Sequence, residues 1–111
     1  MGLKIKKFNE ARNKIMPAVT RIGDPDVPHC SGMVRAVGSG DVFANGIGIS
    51  RQGDVNTGHK LPPAAPVCPS HSAPIASGSS TVFVNGRQCG RIGDPTCTSV
   101  AGGSPNVFAG G

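Results

Sequence analysis

The sequence has no tryptophan and no tyrosine, and phenylalanine occurs only four times in 111 residues. These absences exclude a core built from large aromatic side chains, which supply much of the buried area in ordinary small domains. A domain of this size also buries only a limited share of its surface. We therefore expect a metal ion, a disulfide or a docked partner to add to its stability.

Long apolar runs are missing as well. Nothing in the sequence approaches the roughly 18 consecutive apolar residues of a membrane-spanning helix. The N-terminus carries lysines but has neither an apolar stretch nor a small-residue cleavage site, so we predict no Sec signal peptide. A protein of this kind, made in the cytoplasm, reaches the outside only if another machine carries it.

Acidic residues are few, and most of the net charge of +5 comes from the N-terminus. Residues 1–16 contain five basic residues and one acidic residue, whereas residues 17–111 contain six basic and five acidic residues. The second part lacks the basic face with interleaved aromatics of nucleic-acid binders, so we expect no nucleic-acid partner. We predict a basic N-terminal tail or docking segment, residues 1–16, and one domain, residues 17–111.

Glycine and proline are abundant instead, with 17 and 10 residues, and the glycines recur in register. A phrase with the pattern Gly-Ser-x-x-Val-Phe-x-Asn-Gly occupies residues 38–46 and 78–86, and a copy ending in Gly-Gly occupies residues 103–111. A shorter phrase, Arg-x-Gly-Asp, alternates with it. Three copies in so short a chain predict pseudo-threefold symmetry, and the natural partner of such a structure is a symmetric trimer.

The repeated phrases also predict the local structure. The first two Val-Phe runs end in Asn-Gly, which favours a type I′ hairpin turn because both central residues need a positive φ. We therefore predict β-hairpins over residues 41–51 and 81–91, within an all-β domain of short strands. The Gly-Asp steps predict turns in which the Asp side chain accepts hydrogen bonds from nearby backbone N–H groups. A proline-rich insertion, residues 60–69, is predicted to be a loop.

Histidine and cysteine recur at related places. His29 and His59 each follow a Gly-Asp step by five residues, Cys97 follows the third step by three, and His71 lies on the loop leading to Gly78. If the three units surround one axis, these loops meet, and three histidines with one cysteine suit a tetrahedral zinc ion. The alternative is three unrelated, exposed histidines.

The other cysteines have different interpretations. Cys89 aligns with Ile49 of the preceding copy, so we predict that it is a core residue. Cys30 and Cys68 each lie close to a predicted histidine ligand, and either could replace it, or the two could form a disulfide. We favour unpaired structural cysteines, because nothing in the sequence indicates an oxidising compartment.

Catalytic motifs are absent from the sequence. It contains no Gly-x-Ser-x-Gly elbow, no Walker loop and no His-Glu-x-x-His, and its only glutamate is Glu10. We therefore predict that the protein is not an enzyme. A small zinc-dependent enzyme or toxin is the alternative, but four protein ligands would close the coordination position that hydrolytic zinc keeps open.

Residues 17–111 resemble the proline-alanine-alanine-arginine (PAAR) repeat family. The resemblance rests on both repeated phrases, on His71 ahead of Ile75, and on Cys97 after the third Gly-Asp step. The name-giving tetrapeptide is degenerate here, since only its arginine remains at residues 48–51 and 88–91. None of the proposed metal ligands lies in these two tetrapeptides.

The resemblance implies a small cone of short β-strands with pseudo-threefold symmetry and one zinc ion per chain near its apex. The implied zinc ligands are His29, His59, His71 and Cys97. It also implies a structural tip that caps the trimeric β-helical, VgrG-like spike of a contractile phage tail or a type VI secretion system. One tip would bind one trimer, without forming a homo-oligomer, and would touch the target membrane transiently from the distal end of the machine.

The composition break at Met16 generates a first prediction. A truncated protein that starts at Met16 should melt within a few degrees of the full-length chain, because residues 1–16 are expected to be dispensable for folding. Thermal denaturation followed by circular dichroism measures this. A large fall in melting temperature would show instead that the N-terminal segment packs on the domain.

Overall fold

Short strands and turns make up the structure, a computed structural model that describes residues 16–28, 32–58 and 72–111. These stretches contain no helix, and hence none that could span a membrane. The all-β prediction is therefore confirmed for the described residues. The predicted proline-rich loop, residues 60–69, lies outside them.

Two β-hairpins form where the repeated phrases predicted them. In the first hairpin, β1 (Phe43–Ala44) pairs antiparallel with β2 (Ile47–Gly48). In the second, β3 (Phe83–Val84) pairs antiparallel with β4 (Arg87–Gln88). The two hairpins have the same register, as expected from two copies of one phrase.

An Asn-Gly turn closes each hairpin. Asn45 and Gly46 have φ values of 56° and 74°, and Asn85 and Gly86 have values of 54° and 76°. Two successive positive φ values define the type I′ turn, whose twist matches that of the flanking strands. The turn prediction is confirmed.

The strands are shorter than predicted because the chain acquires a second partner after each hairpin. The N–H of Ile49 still donates to Val42 at 3.1 Å, while Ile49 forms an antiparallel bridge with Arg21. In the second hairpin, the N–H of Cys89 donates to Val82 at 2.9 Å, while Cys89 forms a bridge with Arg51. These bridges join segments far apart in the sequence, so they hold the copies together rather than extend the hairpins.

Three backbone amides close a ring at this junction. The N–H of Thr20 donates to the carbonyl of Gly90 at 3.0 Å, that of Gly90 to Ser50 at 2.9 Å, and that of Ser50 to Thr20 at 3.0 Å. Gly90 has no room for a side chain, because a Cβ there would lie 2.7 Å from both the Ser50 oxygen and Ile75 Cδ1. The ring therefore requires glycine at this position.

The third Val-Phe pair has no Asn-Gly turn after it, and the first described segment provides its partner. Phe108 forms an antiparallel bridge with Ala18. The N–H of Val19 donates to Val107 at 2.9 Å, and that of Ala109 donates to Pro17 at 3.1 Å. Segments at the two ends of the described chain thus form the pairing that a hairpin provides in the other copies.

No aromatic side chain is buried among the residues that the structure describes. Six of the buried apolar residues pack into one core cluster, namely Val19, Ala44, Ile49, Val84, Cys89 and Ala109. The buried residue in each copy of the long phrase directly follows the phenylalanine, so strand alternation turns the phenylalanine outward. Cys89 is 1% exposed, which confirms its predicted core position. Burial raises the pKa of its thiol to about 11, so the thiol is neutral at physiological pH.

Each Arg-x-Gly-Asp phrase forms the same charged turn. The backbone N–H of the arginine donates to Oδ2 of the aspartate three residues later, as the sequence predicted. The guanidinium adds an ion pair that the sequence reasoning missed. The closest N–O distances are 2.8 Å for Arg21–Asp24, 2.8 Å for Arg51–Asp54 and 3.0 Å for Arg91–Asp94. Hydrogen bonds to these carboxylates raise the pKa of both Arg21 and Arg51.

The same guanidinium groups also donate hydrogen bonds to residues outside their own turns. In the first two copies Nη1 donates to the Asn-Gly turn of a hairpin, and in the third it donates to a backbone carbonyl just after the third Val-Phe pair. The acceptors are Asn45 Oδ1 at 3.0 Å for Arg21, Asn85 Oδ1 at 2.9 Å for Arg51, and the Gly110 carbonyl at 3.1 Å for Arg91. One arginine in each copy therefore connects its own turn to the residues that follow a Val-Phe pair.

The core arrangement generates a second prediction. Val84 is 4% exposed and Val82 is 38% exposed, although both lie in the same copy of the phrase. Val84→Ala should lower the free energy of unfolding by about 2 kcal/mol, because it removes two buried methyl groups and leaves a cavity. Val82→Ala, the matched control, should change it by less than about 0.5 kcal/mol. Chemical denaturation measures both, and equal losses would contradict the assigned core.

Candidate metal centre and docking surface

The structure describes one of the four predicted metal ligands, Cys97, and its side chain is exposed. His29, His59 and His71 lie outside the described residues, as do the alternative ligands Cys30 and Cys68. Among residues 16–28, 32–58 and 72–111, no three histidine, cysteine, aspartate or glutamate side chains lie close enough together to hold a metal. A metal centre at Cys97 therefore depends on the histidines.

Cys97 lies at the outer end of a tight loop in the third copy. Pro95 and Ser99 form an antiparallel bridge across the loop, and the backbone N–H of Thr98 donates to Thr96 Oγ1 at 3.0 Å. The corresponding loops of the first two copies are longer, since the bridge partners there are residues 25 and 34, and residues 55 and 74. The short loop fixes the backbone on both sides of the thiol.

The described residue two positions before His29 is bonded to this loop. The N–H of Val27 donates to the Ser99 carbonyl at 2.8 Å, and Thr98 Oγ1 donates to the Val27 carbonyl at 2.6 Å. The chain therefore passes directly beside the Cys97 loop shortly before it reaches the first predicted histidine.

The segments next to the other two histidines meet at Asn56. Asn56 Nδ2 lies 3.8 Å from Cys97 Sγ, and Asn56 Oδ1 accepts a 2.7 Å hydrogen bond from the N–H of Ala73. Asn56 precedes His59 by three residues and Ala73 follows His71 by two. The described neighbours of all four predicted ligands thus belong to one hydrogen-bonded group. This group places a thiol near the segments that lead to the three histidines, a set of ligands that suits a zinc ion.

A buried ion pair is joined to this group by a hydrogen bond from Asn56. Arg35 Nη2 and Asp26 Oδ2 are 2.6 Å apart, and both side chains are 0% exposed. Arg35 Nη1 also donates to the Asp54 carbonyl at 2.9 Å, whereas Asp26 Oδ1 and Arg35 Nε have no hydrogen-bond partner among the described residues. Such a pair costs desolvation energy, and removing one partner leaves a buried charge.

The sequence analysis did not predict this pair, although alignment of the three copies contains a signal for it. The N–H of Gly23 donates to the carbonyl of Arg35, as those of Gly53 and Gly93 donate to Ile75 and Val100. Arginine therefore occupies a position that is apolar and buried in the other two copies. A charged residue at such a position requires a buried counter-charge.

Apolar side chains are exposed on the hairpins. We define the hairpin surface as the exposed residues of the Val-Phe pairs together with one neighbour, namely Val42, Phe43, Ile47, Val82, Phe83 and Phe108. Phe43 and Phe83 are both 56% exposed. Single exposed apolar residues are common, but here they recur at equivalent positions of separate copies of the phrase.

Polar side chains join each Asn-Gly turn to the start of the long phrase in another copy. Ser39 Oγ donates to Asn85 Oδ1 at 2.7 Å, and Asn85 Nδ2 donates to Asp41 Oδ1 at 2.8 Å. Hydrogen bonds from Asn85 and then Ser39 lower the pKa of the Asp41 carboxyl. Asn45 has matching partners, since it accepts from Ser104 and donates to Asn106. These bonds fix the positions of the hairpins that carry the apolar side chains.

The hairpin surface continues into an open apolar cavity. The cavity has a volume of about 290 Å³ and is lined by Met16, Pro17, Ala18, Ile92 and Phe108. It lies where the first described segment pairs with the third Val-Phe pair, so an apolar group can insert beside Phe108.

Comparison with protein-family models agrees with the sequence resemblance. A search of the curated proteins found no match to this chain. The family model of the PAAR motif matches residues 22–98 and 67–111, which together include both hairpins, the second and third charged turns and Cys97. The chain belongs to the PAAR motif family.

Proposed function

We propose that the chain is the structural tip of a contractile injection machine, where it caps and sharpens a trimeric β-helical spike and helps it to pierce the target envelope. The observation that carries the proposal is the hairpin surface, which exposes equivalent valine and phenylalanine side chains from separate copies of one phrase. The PAAR motif is associated with spike-tip proteins of such machines. Either a contractile phage tail or a type VI secretion system fits this role.

The proposed architecture is a cone in which the three copies surround one axis. The ring of backbone hydrogen bonds among Thr20, Ser50 and Gly90 supports it, because each copy contributes one donor and one acceptor. Three similar copies let a single chain present one docking face to each subunit of a trimer. The same contact covers the open strand ends of the spike, which would otherwise be prone to pairing with other chains.

The proposed apex is held by one zinc ion, bound by His29, His59, His71 and Cys97. The hydrogen bonds that bring their described neighbours beside Cys97 support this assignment. Zinc supplies folding free energy where few side chains can pack, since a closed four-ligand site exists only in the folded chain. In this proposal the metal is structural and carries out no reaction.

The three turn aspartates fit the same structural role. Asp24, Asp54 and Asp94 each accept hydrogen bonds from a backbone N–H and from a guanidinium. Carboxylates used in this way close turns, and their lone pairs are engaged within the fold. We therefore propose a structural role for them.

A third prediction concerns the metal. Protein purified without chelators should contain about one zinc per chain, and Cys97→Ser should lose it, because one ligand of a closed site is removed. Elemental analysis of folded protein measures the metal content. Cys89→Val serves as the control and should keep its zinc, since Cys89 lies in the core.

Variants of the two remaining cysteines complete this test. Zinc loss in Cys30→Ser or Cys68→Ser would show that one of them replaces a histidine. Folded wild-type protein with far less than one zinc, or Cys97→Ser with unchanged zinc, would refute the assignment.

A fourth prediction concerns the partner. Mixed with its cognate trimeric spike protein, the chain should form a complex of one tip and three spike chains, measured by light scattering. A stable interface of standard size buries about 1,600 Å² in total, so binding should also raise the melting temperature. A complex with three tips, or no complex, would contradict the capping model.

Single substitutions test which surface binds. Phe83→Ala should raise the Kd by about tenfold or more, as expected for an aromatic contact at an interface centre. Its melting temperature should change little, because Phe83 is already 56% exposed. Val27→Ala is the matched control: Val27 is also exposed but lies beside the Cys97 loop, and its Kd should be unchanged.

A further inference from the structure

The side chain of Asn56 joins several parts of the proposed metal centre. It is 1% exposed, and its Oδ1 accepts from the N–H of Ala73 at 2.7 Å. Its Nδ2 donates to Asp26 Oδ2 at 2.9 Å and lies 3.5 Å from Met33 Sδ and 3.8 Å from Cys97 Sγ. Distances near 3.5–4 Å suit N–H donors to sulfur, which is larger than oxygen.

The orientation of this carboxamide follows from its neighbours. The backbone N–H of Ala73 can only donate, so the amide oxygen of Asn56 must face it. The amide nitrogen then faces the carboxylate of Asp26, which can only accept when ionised. Both ends of the side chain are therefore assigned by partners of fixed polarity.

The amide nitrogen has two hydrogens and three acceptors around it. One hydrogen is donated to Asp26, which leaves the second between the two sulfur atoms. A thioether such as that of Met33 is a weak acceptor. A cysteine bound to a metal is a thiolate, and hydrogen bonds to charged acceptors are stronger and shorter than those to neutral ones. The second hydrogen therefore has a strong preference for Cys97 once a metal is bound.

We propose that Asn56 is the positioning residue for Cys97, donating its second amide hydrogen to the Cys97 sulfur in the metal-bound protein. This inference rests on the proposed zinc site. The bond stabilises negative charge on the sulfur and fixes the direction of its lone pairs toward the metal. Partners that orient a metal ligand in this way commonly contribute 10- to 100-fold to metal affinity.

The buried ion pair prevents the donor from turning away. Asp26 Oδ2 accepts from both Arg35 Nη2 at 2.6 Å and Asn56 Nδ2 at 2.9 Å. Because Arg35 and Asp26 are fully buried, rotation of the Asn56 amide would leave a buried carboxylate without one of its donors. The pair thus holds the amide in the orientation that Cys97 needs.

A fifth prediction tests this role in the full chain with zinc and cobalt. Asn56→Ala should weaken zinc binding by about 10- to 100-fold in competition with a chromophoric chelator. In the cobalt-loaded protein, its sulfur-to-cobalt charge-transfer band should move to longer wavelength, because the sulfur loses a hydrogen bond that stabilised its electrons.

Asn85→Ala is the matched control. It removes hydrogen bonds of the same kind at the hairpin turns, where Asn85 bonds Ser39, Asp41 and Arg51. It should lower the melting temperature while leaving the cobalt band in place and the zinc affinity within about twofold of wild type. Both variants are compared at a temperature at which each is folded.

The outcomes separate this inference from the zinc proposal. If folded wild-type protein shows no sulfur-to-cobalt band, Cys97 is not a ligand and both ideas fail. If wild type shows the band but Asn56→Ala matches the Asn85→Ala control in band and affinity, only the role of Asn56 fails.

If Asn56→Ala does not fold, cadmium-113 NMR of the wild type decides: scalar coupling between the Asn56 amide and cadmium supports the bond, and its absence refutes it.

Discussion

The carboxylate of each Arg-x-Gly-Asp turn is the contact on which the rest of the structure depends. It closes the turn by accepting from the arginine backbone and binds the guanidinium of the same residue. The guanidinium is then directed at the residues that follow a Val-Phe pair. The hydrophobic cluster of the described residues has six buried members and no aromatic side chain, so apolar packing there gives the strands little directional constraint. Directional charged hydrogen bonds, repeated in each copy, supply this constraint instead.

These contacts form a continuous polar path between the hairpins and the proposed metal centre. The path runs through Asn85, Arg51, Asp54, Arg35, Asp26, Asn56 and Cys97. The central steps, from Asp54 to Asn56, are hydrogen bonds between buried partners and are therefore stronger than they would be in water, whereas Asn85 and Cys97 at the two ends are exposed. The surface proposed to bind the spike and the thiol proposed to bind zinc are therefore parts of one connected framework.

Local features of the fold could be predicted from the sequence, whereas contacts between distant segments could not. Asn45-Gly46 predicts its hairpin because the required φ values restrict the residue types. Alignment of Cys89 with Ile49 predicts its burial, because equivalent positions share an environment. The pairing of Phe108 with Ala18 has no such signal, since no turn joins the two segments. The role of Asn56 is also hidden, because it depends on neighbours 17, 30 and 41 residues away.

The buried pair of Arg35 and Asp26 distinguishes the three similar copies of the sequence from one another during folding. Three copies of similar sequence could exchange places in a misfolded chain with little loss of apolar burial. Ile75 and Val100 occupy the positions equivalent to Arg35, so an exchange would place the guanidinium away from Asp26. A buried charge without its partner costs several kcal/mol, on the order of 3–5. One charged residue at an otherwise apolar position therefore distinguishes the native arrangement of the copies from its permutations, and the same pair orients the amide beside Cys97.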